Sequence, residues 1–239
     1  MDKVPLLQST GHQKVDEILQ GIIGIFEKTF PTRIRAYYLI GSHATGNAVC
    51  TSDLDVVIVF KGKLLTGEEI LAHRVGNSCQ RISSIELDLM FYSEEQILRR
   101  RMYGRGFALT RRLVFGEEFD EAIPLPSIEK YLWFMMNSAY EALVWIRCSP
   151  QTLAYPVDYP NPKTPFFGYA KPVRMFNGET RIGAKQLVHN VCVACSAIIG
   201  FVTAKQVTSG SESVNLYKKE IGDQWTGFLE TIYKVLSSA

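Results

Sequence analysis

Two pairs of carboxylates stand at or near the starts of apolar, strand-like segments. Asp53 and Asp55 lead into a run of β-branched residues, and Glu86 and Asp88 alternate with leucines in a later run. Because side chains two residues apart on a strand point to one face, each pair presents its carboxylates together. Carboxylates held side by side repel each other, and desolvating them costs free energy, unless a cation between them offsets both effects. Mg²⁺ is a suitable cation because it prefers oxygen ligands. The pattern indicates a site for one or two Mg²⁺, with a solvated acidic face as the alternative.

A glycine and a serine at the end of another strand-like run extend this pattern. Gly41 and Ser42 follow the run 35–40, and a loop of small residues comes next. Glycine lets a phosphate approach the backbone closely, and Ser42 can offer its hydroxyl and nearby amides to an anion. An anion-binding turn beside metal-binding carboxylates is what nucleotidyl transfer requires. The metal neutralises the triphosphate, and one carboxylate can deprotonate the attacking hydroxyl.

The spacing of these residues resembles a known signature. A Gly-Ser pair, ten intervening residues and an Asp-Leu-Asp triplet within apolar strands look like the nucleotidyltransferase motif of the DNA polymerase β superfamily. The resemblance covers about residues 35–92. It implies that the triphosphate is held by Gly41 and Ser42, that Mg²⁺ is bound by Asp53 and Asp55, and that the third acid is Asp88, with Glu86 as the alternate.

The elements that must position these residues alternate between helix and strand in the first part of the chain. Periodicity predicts helices over 12–30 and 66–80, and strands over 35–40, 54–60 and 82–92. It then predicts helices over 94–115, 127–147, 181–203 and 211–236, with a proline-rich loop over 148–180. The expected fold is therefore an α/β (α+β) nucleotidyltransferase-like small mixed sheet with flanking helices over 1–122, followed by an all-helical domain over 123–239.

This order of domains is similar to the aminoglycoside nucleotidyltransferase branch, especially the adenylyltransferases acting on streptomycin and spectinomycin. In that branch a helical domain closes over the nucleotide, and a lysine near a late helix reaches the phosphates. The segment 184–217 resembles that region and places Lys205 at the lysine. The resemblance implies an Mg²⁺-dependent enzyme that transfers AMP from ATP to a hydroxyl of a small acceptor, such as an aminoglycoside-type antibiotic, with release of pyrophosphate.

Two other functions stay open. The arginines of 99–112 and the aromatic loop 155–176 leave room for a protein or tRNA acceptor, although a solvated helix face is the simpler interpretation of the arginines. The fold could also bind nucleotide as a regulator without turnover. The general base is left open among Glu86, Asp88 and Glu141.

Composition narrows the class of protein. Of 239 residues, 46% are hydrophobic and 21% charged, which is typical of a globular protein. The 26 basic and 24 acidic residues give a net charge of +2, so a general nucleic-acid binder is not favoured.

The N-terminus has no apolar signal core, and the apolar stretch 187–203 is too short and too polar to span a bilayer. Five scattered cysteines do not form a disulfide framework. We expect a cytoplasmic protein without a membrane partner.

Overall fold

The computed structural model describes the chain in two compact units. It covers residues 4–98, 105–119, 123, 125–147, 161, 163–164, 171–174, 180–183 and 185–237. The first unit is built mainly from Met1–Ala48 and Ser52–Leu125, and the second mainly from Pro126–Arg174 and Glu179–Ala239. The sequence-based boundary at 122/123 stays a prediction.

The first unit is a four-stranded mixed sheet with helices on both faces. Its strands lie in the order β3-β2-β1-β4. Strands β2 and β3 are parallel, whereas β1 runs antiparallel to both of its neighbours, β2 and β4. The elements are α1 (Gln13–Thr29), β1 (Ile34–Leu39), α2 (Gly41–Thr45), β2 (Leu54–Phe60), α3 (Thr66–Ile82), β3 (Leu87–Ser93), α4 (Glu94–Leu98), α5 (Arg105–Thr110) and β4 (Arg112–Gly116).

Strand β2 is apolar because both of its faces are covered. Val56 and Ile58 pack in a cluster that contains the buried faces of α1 and α3. Val57 and Val59 face the opposite way and pack in a second cluster, which includes residues of α4 and α5. Burial of each such side chain stabilises the unit by about 1.5–3 kcal/mol. The uninterrupted β-branched run is therefore the sequence of a strand in the middle of a three-layer unit.

The expected helix over 94–115 is wrong in its last part. Arg112–Gly116 forms β4 and pairs with the free side of β1, with Leu113 opposite Tyr38 and Arg112 opposite Leu39. A helix there would leave the side of β1 away from β2 without a hydrogen-bonding partner, so pairing overrides a weak helical pattern. The third strand is also shorter than expected and begins at Leu87, because α3 continues to Ile82.

The second unit is mainly helical and carries a two-stranded antiparallel sheet. Its elements are α6 (Ile128–Arg147), β5 (Lys171–Arg174), β6 (Thr180–Gly183), α7 (Lys185–Thr203), α8 (Gly210–Glu220) and α9 (Thr226–Ser237). The expected helix over 181–203 begins later, because its first residues pair as β6. The expected helix over 211–236 is two helices, separated at Gly222, whose φ is +61°. Within the described ranges, no helix combines the length and apolarity needed to cross a membrane.

An ion pair ties the start of α3 to the strand layer and gives a stability prediction. The Arg33 guanidinium donates to both carboxylate oxygens of Glu68, and the backbone N–H of Leu65 also donates to Glu68, at 3.1 Å. The hydrogen bond from Arg33 is the main cause that holds the pKa of Glu68 below its usual 4.5. Glu68→Gln should therefore lower the free energy of unfolding at pH 7 by about 0.5–1 kcal/mol.

The pH dependence of this loss has a defined sign. Because the folded pKa of Glu68 is lowered, the ion pair stabilises the protein above about pH 4.5, and this contribution is lost as pH falls through the lower folded pKa. Urea unfolding at several pH values measures it, with Glu69→Gln as the control, because Glu69 is exposed in the same helical turn. An equal loss for both variants, or a loss that does not shrink as the pH falls below 4.5, would contradict the assignment.

Candidate active site

The sheet brings the chain segments that carry the candidate residues to one edge. Strand β1 ends at this edge, while β2, β3 and β4 begin there, since β1 runs opposite to the other three. Asp55 of β2 lies directly opposite Asp88 of β3 in the parallel ladder. The N–H of Ile40 donates to the carbonyl oxygen of Asp55 at 3.1 Å, so the turn that starts at Gly41 lies beside Asp55.

The carboxylates of β2 and β3 share one face of the sheet. Residues that are paired in a ladder point to the same side, so Asp55 and Asp88 lie on the same face as Val57 and the second hydrophobic cluster. Asp53, two residues before Asp55, is half-buried and acts electrostatically on Asp88. The structure thus places three carboxylates at the start of two adjacent strands.

Asp88 is in an environment that disfavours its negative charge. Partial burial of its carboxyl group and the negative charge of Asp53 both raise the pKa of Asp88, and the residue is nevertheless exposed to solvent, which weakens both effects. A cation between the two groups would remove this repulsion, so the donor set of carboxylate oxygens suits a hard divalent ion. Among the residues that the structure describes, however, no three acidic, histidine or cysteine side chains are already gathered as a metal cluster. The three-carboxylate Mg²⁺ site therefore stays a prediction.

Gly41 packs directly against the carboxylate of Asp55. Its φ is +68°, a conformation that favours glycine, and a Cβ atom at this position would lie 3.3 Å from the Asp55 Cγ and closer still to Oδ2. Its N–H donates to the Thr110 Oγ1 at 3.0 Å. From the sequence, Gly41 is expected to be glycine because a phosphate must approach the backbone closely there. The structure adds a second reason for that glycine, because only a residue without Cβ leaves room for Asp55.

Ser42 is the second residue of the short helix α2. Glu86 is exposed just before β3, and its carbonyl oxygen accepts from the N–H of Leu54 at 2.8 Å. Lys205 lies in the second unit, just after α7, where its Nζ is 2.6 Å from the Glu220 Oε1. Glu141 is on α6, but its side chain lies outside the described part, as do the arginines at 99–101. The roles assigned to these residues stay predictions.

Thr110 is the residue at this edge that the sequence does not reveal. It is the last residue of α5 and lies two residues before the start of β4, within the segment for which a continuous helix is expected. A signal for the strand that follows it is present in Val114 and Phe115, because β-branched and aromatic residues favour a strand.

One family model and several solved structures are similar to this chain. Residues 20–112 match the family model described as Polymerase beta, Nucleotidyltransferase. The chain is similar to the spectinomycin adenyltransferase AAD(9) from Enterococcus faecialis, crystallised with ATP and spectinomycin, over 92% of this chain and 88% of that one. The TM-score is 0.57 and the sequence identity 11%. A mutant of the toxin-antitoxin MntA-HpeT is similar over 54% of this chain and 90% of that one, with a TM-score of 0.29 and 15% identity.

No curated protein matches the chain significantly. The family model and the structural similarity confirm the expected fold class, a small mixed sheet with flanking helices followed by C-terminal helices. They also confirm the resemblance to the nucleotidyltransferase superfamily and, in fold, to an aminoglycoside adenylyltransferase. The matched segment 20–112 contains the Gly41 turn and all three carboxylates.

Proposed function

We propose that the protein is an Mg²⁺-dependent nucleotidyltransferase that transfers AMP from ATP to a hydroxyl of a small acceptor, such as an aminoglycoside-type antibiotic. The observation that carries this proposal is the pairing of Asp55 with Asp88 at the sheet edge where Gly41 packs against Asp55. The edge lies in the segment that matches the nucleotidyltransferase model. Similarity in fold to a spectinomycin adenyltransferase supports the choice of a small acceptor.

The reaction assigns a task to each residue of the edge. Asp53, Asp55 and Asp88 would hold Mg²⁺. The bound ion would neutralise the negative charge of the triphosphate. Ser42 binds the phosphates through its hydroxyl, beside the Gly41 turn. The acceptor hydroxyl gives its proton to a carboxylate oxygen, and Asp88 is the proposed acceptor of that proton because it lies on the strand next to Asp55. The hydroxyl oxygen then bonds to the α-phosphorus, the bond to the β-phosphate oxygen breaks, and pyrophosphate leaves.

Acceptor-dependent release of pyrophosphate tests the proposal. Purified protein is incubated with Mg²⁺ and α-labelled ATP, together with streptomycin, spectinomycin, other aminoglycosides or total tRNA in separate reactions, and with GTP, CTP and UTP in turn. We expect label to move to a small acceptor, with ATP preferred. Transfer to tRNA or to protein would favour the rival acceptor class. Nucleotide binding without transfer to any acceptor would indicate a regulator and contradict the proposal.

Lys205 gives a prediction for the second unit. If Lys205 supports the triphosphate as a point charge, Lys205→Ala should raise the apparent dissociation constant for ATP by roughly ten- to a hundredfold. Calorimetric titration with a non-hydrolysable ATP analogue measures this. The matched control is Glu220→Gln, which removes the ion-pair partner of Lys205 but keeps the lysine. If Lys205→Ala binds the ATP analogue as tightly as the wild type, Lys205 does not support the triphosphate, and its role is limited to the ion pair with Glu220.

A further inference from the structure

The Gly41 turn is fixed by a hydrogen bond from outside its own segment. The N–H of Gly41 donates to the Thr110 hydroxyl, 69 residues later in the chain. This N–H is the first of α2, where helical amides have no partner within the helix. Thr110 therefore supplies an acceptor that the local sequence around Gly41 does not provide.

The residues before and after Thr110 in the chain are fixed by packing and by strand pairing. In α5 before it, Phe107 is 1% exposed and its ring meets that of Tyr38 edge-on, with the ring centroids 5.2 Å apart. After it, the Arg111 guanidinium donates to the carbonyl oxygen of Ala108 at 3.2 Å and lies 5.7 Å from the centre of the Phe107 ring. Strand β4 then begins at Arg112, paired with the end of β1. The hydroxyl of Thr110 is thus presented to Gly41 from a packed helix–strand junction.

We infer that Thr110 is a positioning residue of the nucleotide site, an inference that rests on the proposed function. Its hydroxyl holds the Gly41 peptide so that the glycine Cα faces the Asp55 carboxylate and Ser42 is directed toward the phosphates. The N–H of Gly41 donates to Thr110, so the groups left to bind phosphate at this turn include the Ser42 hydroxyl. Thr110 acts through Gly41 and does not itself contact the nucleotide.

The inference predicts that loss of the Thr110 acceptor weakens nucleotide binding. Thr110→Val keeps the shape of the side chain and removes the acceptor, so it should raise the dissociation constant of α,β-methylene-ATP with Mg²⁺ by about tenfold. Thr110→Ser keeps the acceptor and should bind within about twofold of the wild type. Thr29→Val is the control, because the exposed Thr29 hydroxyl makes a local bond to the carbonyl oxygen of Ile25 at the end of α1.

A second measurement separates this inference from the proposed function. Hydrogen exchange of the Gly41 amide, followed by NMR without nucleotide, should accelerate in Thr110→Val and return to the wild-type rate in Thr110→Ser. If Thr110→Val does not fold, Thr110→Ala replaces it in both measurements. Equal nucleotide affinity in the wild type and the acceptor-less variant overturns the inference alone. A wild-type protein that binds no nucleotide overturns the proposed function and, with it, this role of Thr110.

Discussion

Asp55→Asn should reduce nucleotidyl transfer by at least about a thousandfold while the protein stays folded. Asp55 is the carboxylate that lies opposite Asp88 in the ladder and against Gly41, so it contacts both the neighbouring strand and the turn. Replacing one carboxylate oxygen by an amide removes a charged metal ligand and leaves the shape nearly unchanged. The loss should therefore fall on turnover and on metal-dependent nucleotide binding.

The same substitution should not destabilise the unit. Asp55 lies directly opposite Asp88 in the ladder, so removing the charge of Asp55 relieves repulsion between neighbouring carboxylates in the metal-free protein. We expect the melting temperature of Asp55→Asn without Mg²⁺ to equal or exceed that of the wild type, and added Mg²⁺ to stabilise the variant less. Glu117→Gln is the control, since Glu117 is exposed beyond the opposite end of β4. Near-wild-type turnover in Asp55→Asn would refute the site.

The local parts of this edge could be predicted from the sequence because they depend on short-range rules. The continuous β-branched run fixes β2 at Leu54–Phe60, as expected, and the two-residue period predicts that Asp55 faces away from its neighbour Leu54. A glycine after an apolar run predicts a sharp turn at the end of β1. These features depend on residues within a few positions of one another.

The remaining parts depend on pairing between distant segments. Nothing in the run that contains Asp88 specifies that this residue, and not Glu86, lies opposite Asp55, because a shift in register is decided by the packing of both strands. Strand β4 cannot be predicted from the sequence for the same reason. Its short sequence is compatible with a helix, and it becomes a strand because β1 offers a free side. Thr110 could not be found without β4.

Gly41→Val should reduce transfer by more than a hundredfold, and Gly41→Ala should already cause most of that loss. Two costs combine at this position. The φ of +68° strains any residue with a Cβ by about 1–2 kcal/mol, and that Cβ would overlap the Asp55 carboxylate. Either the turn or Asp55 must move, and each movement separates the phosphate-binding turn from the carboxylates.

Gly62→Ala separates these two costs. Gly62 has a φ of +64°, similar to that of Gly41, but a Cβ there would meet nothing within 4 Å, and the residue lies beyond the opposite end of β2. Both alanine variants should lose similar stability from backbone strain, whereas Gly41→Ala alone should lose transfer and ATP-analogue affinity. Thermal unfolding and steady-state kinetics on the two variants measure this difference. If Gly41→Ala retains wild-type turnover, the contact between Gly41 and Asp55 is not required for the reaction, and the turn serves only to connect β1 to α2.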